Sequence, residues 1–385
     1  MKPAILVSGA TGKTGAPAAL QLLARGFPVR ALVHQEDARS DGLRRAGAQV
    51  IVGSLEDIDD LTEAMRGVRR AYFCPPLASG TLRRAALFAT AATEAKLEVV
   101  VILSQWLTDP MHRSLHASEK WLSSRVFEWA PIDVVTVNPG WFADNYMAAL
   151  EPITQLGVMG MPLAEGLNAP PSNEDVARVI AAALADPAPH VGKTYRPTGP
   201  RLLSPHEIAA TFAKVLGRPV RYQNAPLGLF LKVAKSLGLS DYLIAQLYWF
   251  LHEYQRGSFA IGAPTDVVQD VGGAAPETFE AIVRRYIAAS PLARRSFASR
   301  MRAALNLMRA LLTRAPDLDA IARRLEFPAV AHASLAADST RWRRSHDAPA
   351  RQTPSTTHSP KGARGGNAAR TPPTDTETSR GSGGT

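Results

Sequence analysis

Over residues 1–140 the chain alternates short, continuously apolar, β-branched runs with longer stretches whose apolar residues recur every three or four positions. Ala4–Ser8, Val29–Val33, Gln49–Val52, Arg70–Cys74, Val99–Ser104 and Ile132–Val137 read as strands. An apolar run without polar alternation is the pattern of a parallel strand covered on both faces. The helical pattern falls between them, over Thr14–Arg25, Asp37–Ala46, Asp57–Arg66, Thr81–Ala95 and Leu115–Glu128. Six strands with five intervening helices predict an α/β fold built on a doubly wound parallel sheet.

After Pro139 the rhythm changes. Asn173–Ala185 reads as a helix capped by Asn173 and followed by Pro187. Lys193–Pro197 and Pro219–Tyr222 read as short strands flanking a helix over Pro205–Leu216. Further apolar helices follow at Leu227–Leu237, Asp241–Tyr254 and Pro276–Ala289. The expected organisation is an α/β domain over 1–150 and a smaller, mostly helical lobe over 151–290, interleaved with it. A basic helical extension over 291–345 and a disordered tail over 346–385 complete it, the tail being Thr, Ser, Pro, Gly and Arg without core-forming residues. Within the extension, Phe297, Met301, Leu305, Met308 and Leu312 recur at helical spacing among arginines, so Leu292–Arg314 reads as a cationic amphipathic helix. Packing on the lobe is the favoured use; contact with an anionic membrane surface or with nucleic acid competes with it. Leu318–Leu325 faintly resembles the first helix of a helix-turn-helix, but Val330–Ala337 offers no recognition helix.

Composition narrows the function classes. At 385 residues, 46% hydrophobic and 20% charged, the chain has the make-up of a globular protein with room for two cores. The longest apolar runs, Val99–Leu103 and Leu247–Leu251, fall far short of the roughly 20 residues of a membrane helix. The start of the chain lacks the longer apolar stretch of a signal peptide. A single cysteine, Cys74, excludes an internal disulfide framework and a cysteine-based zinc cluster. No metal site is expected from the histidines, and no Gly-x-Ser-x-Gly elbow is present. A cytoplasmic location is expected. The net charge of +10 divides unevenly: residues 1–290 carry 28 basic and 27 acidic side chains, residues 291–385 carry 16 and 7. A near-neutral body argues against a nucleic-acid groove in the main fold.

The first strand runs directly into Gly9-Ala-Thr-Gly-Lys-Thr-Gly15 and then a helix. Gly9 permits the tight turn, Gly12 lets the backbone approach a pyrophosphate, and Gly15 lets the helix pack close to the sheet. Free N–H groups and the helix dipole then hold the anion. An NAD enzyme ends its second strand on an acid that holds the ribose diol. Here that position is near His34, with no acid until Glu36, while Arg30 and Arg39 are close enough in sequence to meet a 2′-phosphate. NADP(H) is therefore favoured over NAD(H).

Taken together, this glycine loop, Val29-Arg-Ala-Leu-Val, Gly47-Ala-Gln-Val with Gly53-Ser-Leu-Glu-Asp, and Asn138-Pro-Gly-Trp-Phe-Ala-Asp-Asn145 resemble the NmrA-like family, an atypical branch of the short-chain dehydrogenase/reductases. The likeness covers roughly residues 1–290. It implies a Rossmann domain with a small C-terminal lobe, and either an NAD(P)H-dependent quinone or dye reductase or a redox sensor that binds the dinucleotide without turning it over. Matched residue by residue, Gly9, Thr11, Gly12, Lys13, Thr14 and Gly15 correspond to the pyrophosphate loop. Ser54 stands where relatives have an aspartate facing the adenine. Cys74-Pro75-Pro76 corresponds to the loop beside the nicotinamide ribose, Ser104-Gln105 to a serine position near the reacting carbonyl, and Pro139–Phe142 to a segment beside the nicotinamide ring.

The Tyr-x-x-x-Lys pair of a classical short-chain dehydrogenase is missing, since no tyrosine lies between Tyr72 and Tyr146. His116 and Lys120 share one helical face there, and Lys120 is the candidate acid or ribose anchor, by similarity to isoflavone-reductase-like relatives. Trp141, Phe142 and Tyr146 are the candidate wall for a flat small-molecule acceptor, against core packing between the lobes. Tyr248–Tyr254 reads as the buried face of a lobe helix. Cys74 has no basic neighbour in sequence and reads as an inert thiol. Two functions follow: hydride transfer from NADPH to a quinone-like or other conjugated acceptor, or a non-catalytic sensor that regulates a protein partner.

Overall fold

The computed structural model describes residues 2–347; the expected disordered tail, apart from His346 and Asp347, lies outside them. The first half of the chain forms β1 (Ile5–Val7), α1 (Gly15–Ala24), β2 (Val29–Val33), α2 (Ala38–Arg45), β3 (Gln49–Val52) and α3 (Ile58–Met65). It continues through β4 (Arg70–Phe73), α4 (Thr81–Glu94), β5 (Val99–Leu103), α5 (Leu115–Trp129) and β6 (Asp133–Val137). Residue parity assigns the faces. Ile5, Val7, Val99 and Val101 point into one core, with Ala18 and Leu22 of α1. Leu6, Val100 and Ile102 point into the other, with Leu61 of α3, Phe88 of α4 and Phe127 of α5. Because both faces are covered, the strands carry no polar alternation.

The second half runs α6 (Leu150–Leu156), β7 (Val158–Met161), α7 (Asn173–Ala185), β8 (Thr194–Tyr195), α8 (Pro205–Leu216) and β9 (Arg221–Asn224). The main sheet is parallel throughout, in the order β3-β2-β1-β4-β5-β6-β8. It therefore has seven strands where the first half of the sequence predicts six. The segment expected to be a lobe strand over 193–197 instead extends the sheet, pairing Thr136 with Thr194 and Val137 with Tyr195. α7 returns beneath the sheet and contributes Val176, Val179, Ile180 and Leu184 to the α1-side core. Its cap is Ser172, one residue before the expected Asn173, and the Ser172 hydroxyl accepts from the Asp175 N–H at 3.0 Å.

β7, unannounced in sequence because Val-Met-Gly-Met has no β-branched run, pairs with β9 in a separate two-stranded sheet. β9 begins two residues after Pro219, whose missing N–H cannot join a ladder. The lobe is completed by α9 (Leu227–Ser236), α10 (Asp241–Gln255), α11 (Val267–Asp270) and α12 (Phe279–Ala289). Its core includes Tyr146, Phe212, Leu251, Tyr254 and Ile282.

The extension forms α13 (Phe297–Leu312), α14 (Leu318–Arg324) and α15 (Thr340–Asp347). α15 is anchored: Trp342 is buried in the lobe core, donates its indole N–H to the Trp106 carbonyl at 2.9 Å and stacks on His346. α13 packs on α6 and α9, but not through the stripe that the sequence suggests. Its buried residues are Ala303 and Ala310, while Phe297, Met301, Leu305, Met308 and Leu312 face solvent. The alanine face lets the helix approach closely, and Asn306 and Ser299 donate to Glu151 and Gln155 at 3.0 and 2.7 Å. Among the described residues no helix is long and apolar enough to cross a membrane.

Candidate functional site

Strand order reverses beside β1, which lies between β2 and β4, so a crevice opens at the C-terminal ends of these strands. The glycine loop fills it. Gly9 adopts φ +58°, and a Cβ there would stand 2.6 Å from the Cys74 carbonyl oxygen. A Cβ on Gly15 would come within 2.1 Å of the Gly9 carbonyl, and one on Gly12 within 2.9 Å of the same atom. The loop is thus folded on itself by a Gly12 N–H to Gly9 carbonyl hydrogen bond of 2.8 Å, leaving Gly12 and Lys13 exposed and Thr11 half-buried. Thr14 differs. Its hydroxyl turns inward, accepting from Tyr72 OH at 3.2 Å and lying 3.4 Å from Cys74 Sγ, so only its backbone faces the crevice mouth. Lys13 forms an ion pair with buried Asp144, tying the loop to the segment after β6.

Lys120 projects from α5 to the end of β5, where Nζ donates to the Leu103 carbonyl at 2.6 Å. It is 5% exposed, has no carboxylate partner among the described residues, and burial lowers its pKa to about 8, opposed only by the nearby Cys74 thiol. Cys74 therefore has the basic neighbour that its sequence context lacks. Ser104 is buried, 3.4 Å from the Ser124 hydroxyl on α5; Pro75 and Pro139 are buried at the ends of β4 and β6. His116, one turn before Lys120, is held neutral by burial, with Lys120 and Arg84 adding to the effect, and faces Tyr242 OH at 3.3 Å.

At the end of β2, His34 and Arg39 are exposed. The first acids after the strand are already engaged. Asp37 caps α2 through the N–H groups of Arg39 and Ser40 and pairs with the Arg39 guanidinium, and Glu36 pairs with Arg44. Arg30 cannot reach this region: it lies at the opposite end of β2 and donates to the carbonyls of Ala64 and Arg66 at the end of α3. Ser54 uses its hydroxyl to accept from the Glu56 N–H at 3.1 Å, ahead of α3.

The three aromatic candidates are not one wall. Trp141 packs edge-on to Tyr254 in the lobe core, whereas Phe142 packs against the α1-side core. Tyr146 is fully buried, and its hydroxyl accepts from Asn168 Nδ2 at 2.9 Å and shares a 2.8 Å hydrogen bond with Tyr254 OH. Burial leaves that phenol un-ionised at any physiological pH. Two further groups here, Arg196 and His346, had no place in the sequence reading. Gln105 Nε2, Asn138 Oδ1, Trp141 Nε1, Arg196 Nε and His346 Nε2 are buried with no hydrogen-bond partner among the described residues. Gln105, Asn138 and Arg196 lie within two residues of the ends of β5, β6 and β8, and Trp141 lies four residues beyond β6; His346 arrives from α15 and packs 5.1 Å from the Trp106 ring. Buried orphan polar atoms are costly, and Gln105, Asn138 and Arg196 sit at the ends of the adjacent strands β5, β6 and β8, while others, such as Glu119 Oε2, Asp175 Oδ1 and Gln246 Nε2, lie on α5, α7 and α10. Asn138 and Asp144 carried a signal in the Asn138–Asn145 segment; Arg196 and His346 carried none.

A glycine loop at the strand-order reversal, with a buried ammonium at the neighbouring strand end, defines a dinucleotide-binding α/β protein. The pattern of the NmrA-like family matches residues 1–258, and the chain belongs to that family. An NAD(P)H azoreductase from Xenophilus azovorans is 28% identical over 290 residues, covering 74% of this chain and 98% of that protein. An NADPH-dependent quinone oxidoreductase from Escherichia coli, solved with NADPH, has a TM-score of 0.65 at 23% identity, covering 73% of this chain and 99% of the other. Nmra, a negative transcriptional regulator solved with NAD, has a TM-score of 0.60 at 19% identity, covering 74% and 94%.

Proposed function

We propose that the protein is an NAD(P)H-dependent reductase, with NADPH its preferred donor and a quinone-like or other conjugated small molecule its acceptor. The carrying observation is Lys120: a buried ammonium with one hydrogen bond and no carboxylate partner among the described residues, at the strand end where a dinucleotide lying on the loop would bring its ribose. The activity of the azoreductase relative, matched over nearly its whole length, supports the same reading.

The residues present fit a dinucleotide. The exposed loop backbone at Gly12 and Lys13 fits a pyrophosphate, and orphan polar groups at Gln105 and Asn138 suit a carboxamide. When bound, the reduced cofactor supplies the hydride. In this reading Gly9, Gly12 and Gly15 shape the loop, while the backbone N–H groups of Thr11, Lys13 and Thr14 receive the anion. Arg39, exposed beside His34, exchanges its ion pair with the α2-capping Asp37 for the 2′-phosphate. Ser54, Pro75, Ser104 and Pro139 border the cofactor; of the acceptor candidates, Trp141 and Phe142 approach from separate cores and border the acceptor on different sides. Tyr146 supports Trp141 from the core. Lys120, poised near neutrality, holds a proton beside the ribose and can pass it towards the reduced acceptor. The working compartment under this reading is the cytoplasm, where the reduced dinucleotide is replenished.

The test is NADPH oxidation by the purified protein against quinones, triphenylmethane dyes and azo compounds, beside Lys120→Met. Turnover above the uncatalysed rate, reduced in the variant, is the expected result. Dinucleotide binding without turnover of any acceptor would overturn it in favour of a regulatory sensor.

A further inference from the structure

The outward face of α13 is an apolar stripe with nothing over it among the described residues. Phe297 and Leu312 are 80% and 86% exposed, Leu305 and Met308 60% each, and an open groove of about 840 Å³ runs along them. Monomeric globular proteins seldom leave so continuous an apolar strip in water. Its flanks are cationic. With 3.6 residues per turn, Arg300 falls roughly 100° to one side of the stripe, and Arg302 and Arg309 a similar angle to the other. Arg294 and Arg295 precede the helix, Arg314 follows it, and residues 291–314 contain no Asp or Glu. Only Arg302 reaches a carboxylate, Glu151, among the described ion pairs. The small-residue face opposite, at Ala303 and Ala310, holds the helix flat against α6 and α9. The family match ends at residue 258, before this helix begins.

We propose that α13 docks the protein onto an anionic lipid surface, lying in the interface with Phe297, Leu305, Met308 and Leu312 among the acyl chains and the arginines at the headgroups. A central apolar stripe between cationic flanks matches the vertical order of such an interface. A second copy of the chain fits less well. It would bring arginines against arginines, with no carboxylate on either helix to receive them. A nucleic-acid backbone would leave the stripe in water. The docking does not depend on the reductase reading; only its consequence, access to acceptors dissolved in lipid, rests on it.

Flotation of the full-length protein with vesicles tests this, using phosphatidylcholine alone and phosphatidylcholine with about 30 mol% phosphatidylglycerol. The expected result is flotation with the anionic vesicles, reduced at least about tenfold in roughly 0.5 M salt and in the Leu305→Asp/Met308→Asp variant. That variant should keep the far-UV circular dichroism and dinucleotide binding of the parent, because both side chains are already in water. Arg300→Gln/Arg309→Gln should lose the preference for anionic lipid while keeping the apolar stripe. Failure to float with either vesicle overturns the proposal, as does flotation unchanged by both variants. A dimer in sedimentation that Leu305→Asp/Met308→Asp dissociates, without vesicle binding, would replace lipid by a second copy.

Discussion

Replacing Lys120 by methionine separates its chemical role from a structural one, because the two predict opposite changes in stability. Burial depresses the folded-state pKa from 10.5 to about 8, which corresponds to roughly 3 kcal/mol against the charged form. The unfolded chain binds the proton more tightly than the folded one. The penalty is therefore complete below pH 8 and is relieved as pH rises from about 8 to 10.5. Methionine keeps the apolar stem and removes the charge, at the loss of one hydrogen bond to the Leu103 carbonyl, about 1 kcal/mol. At pH 6.5 the variant should be more stable than the parent by about 2 kcal/mol. The difference should shrink across the interval from pH 8 and reverse sign above it. Urea unfolding of both proteins without dinucleotide, at a series of pH values, measures this directly. Turnover should fall at least roughly 100-fold in the same variant, the loss of a positioned proton donor. A variant less stable than the parent at every pH, with no slope in the difference, would show that the ammonium is structurally paired and refute the reasoning.

Other substitutions probe the remaining parts. Gly15→Ala drives a methyl into the Gly9 carbonyl, so dinucleotide affinity measured by NADPH fluorescence should fall at least roughly tenfold. Arg39→Ala should raise KM for NADPH about fivefold and leave that for NADH unchanged, the worth of an exposed charge contact; equal effects on both would remove Arg39 from the 2′-phosphate. Trp342→Ala opens a cavity where the extension enters the lobe core, and should cost about 3–5 kcal/mol in urea unfolding. A loss below about 1 kcal/mol would mean that the extension is not part of the cooperative fold.

Much of the sheet and the cofactor loop was legible in the sequence, because both are local signals. A strand buried on two faces shows itself as an unbroken apolar run, and a turn that excludes every Cβ shows itself as glycine at Gly9, Gly12 and Gly15. The helix carrying Lys120 was legible for the same reason. Tertiary contact decided the rest. Two residues, Thr194 and Tyr195, have too little periodicity to reveal that they close the sheet. Arg30 and Arg39 look alike along the chain, and only strand direction sends one to each end of β2. The α13 stripe reads as a core face, since an apolar period does not say whether a surface exists to receive it; the closer approach of Ala303 and Ala310 turned it to solvent. Lys120 owes its lowered pKa, Cys74 its cationic neighbour, and His346 its place beside Trp106 to groups distant in the chain. Burial and proximity are properties of the folded arrangement, and so the protein's chemistry, unlike its strands, was settled only when the chain closed on itself.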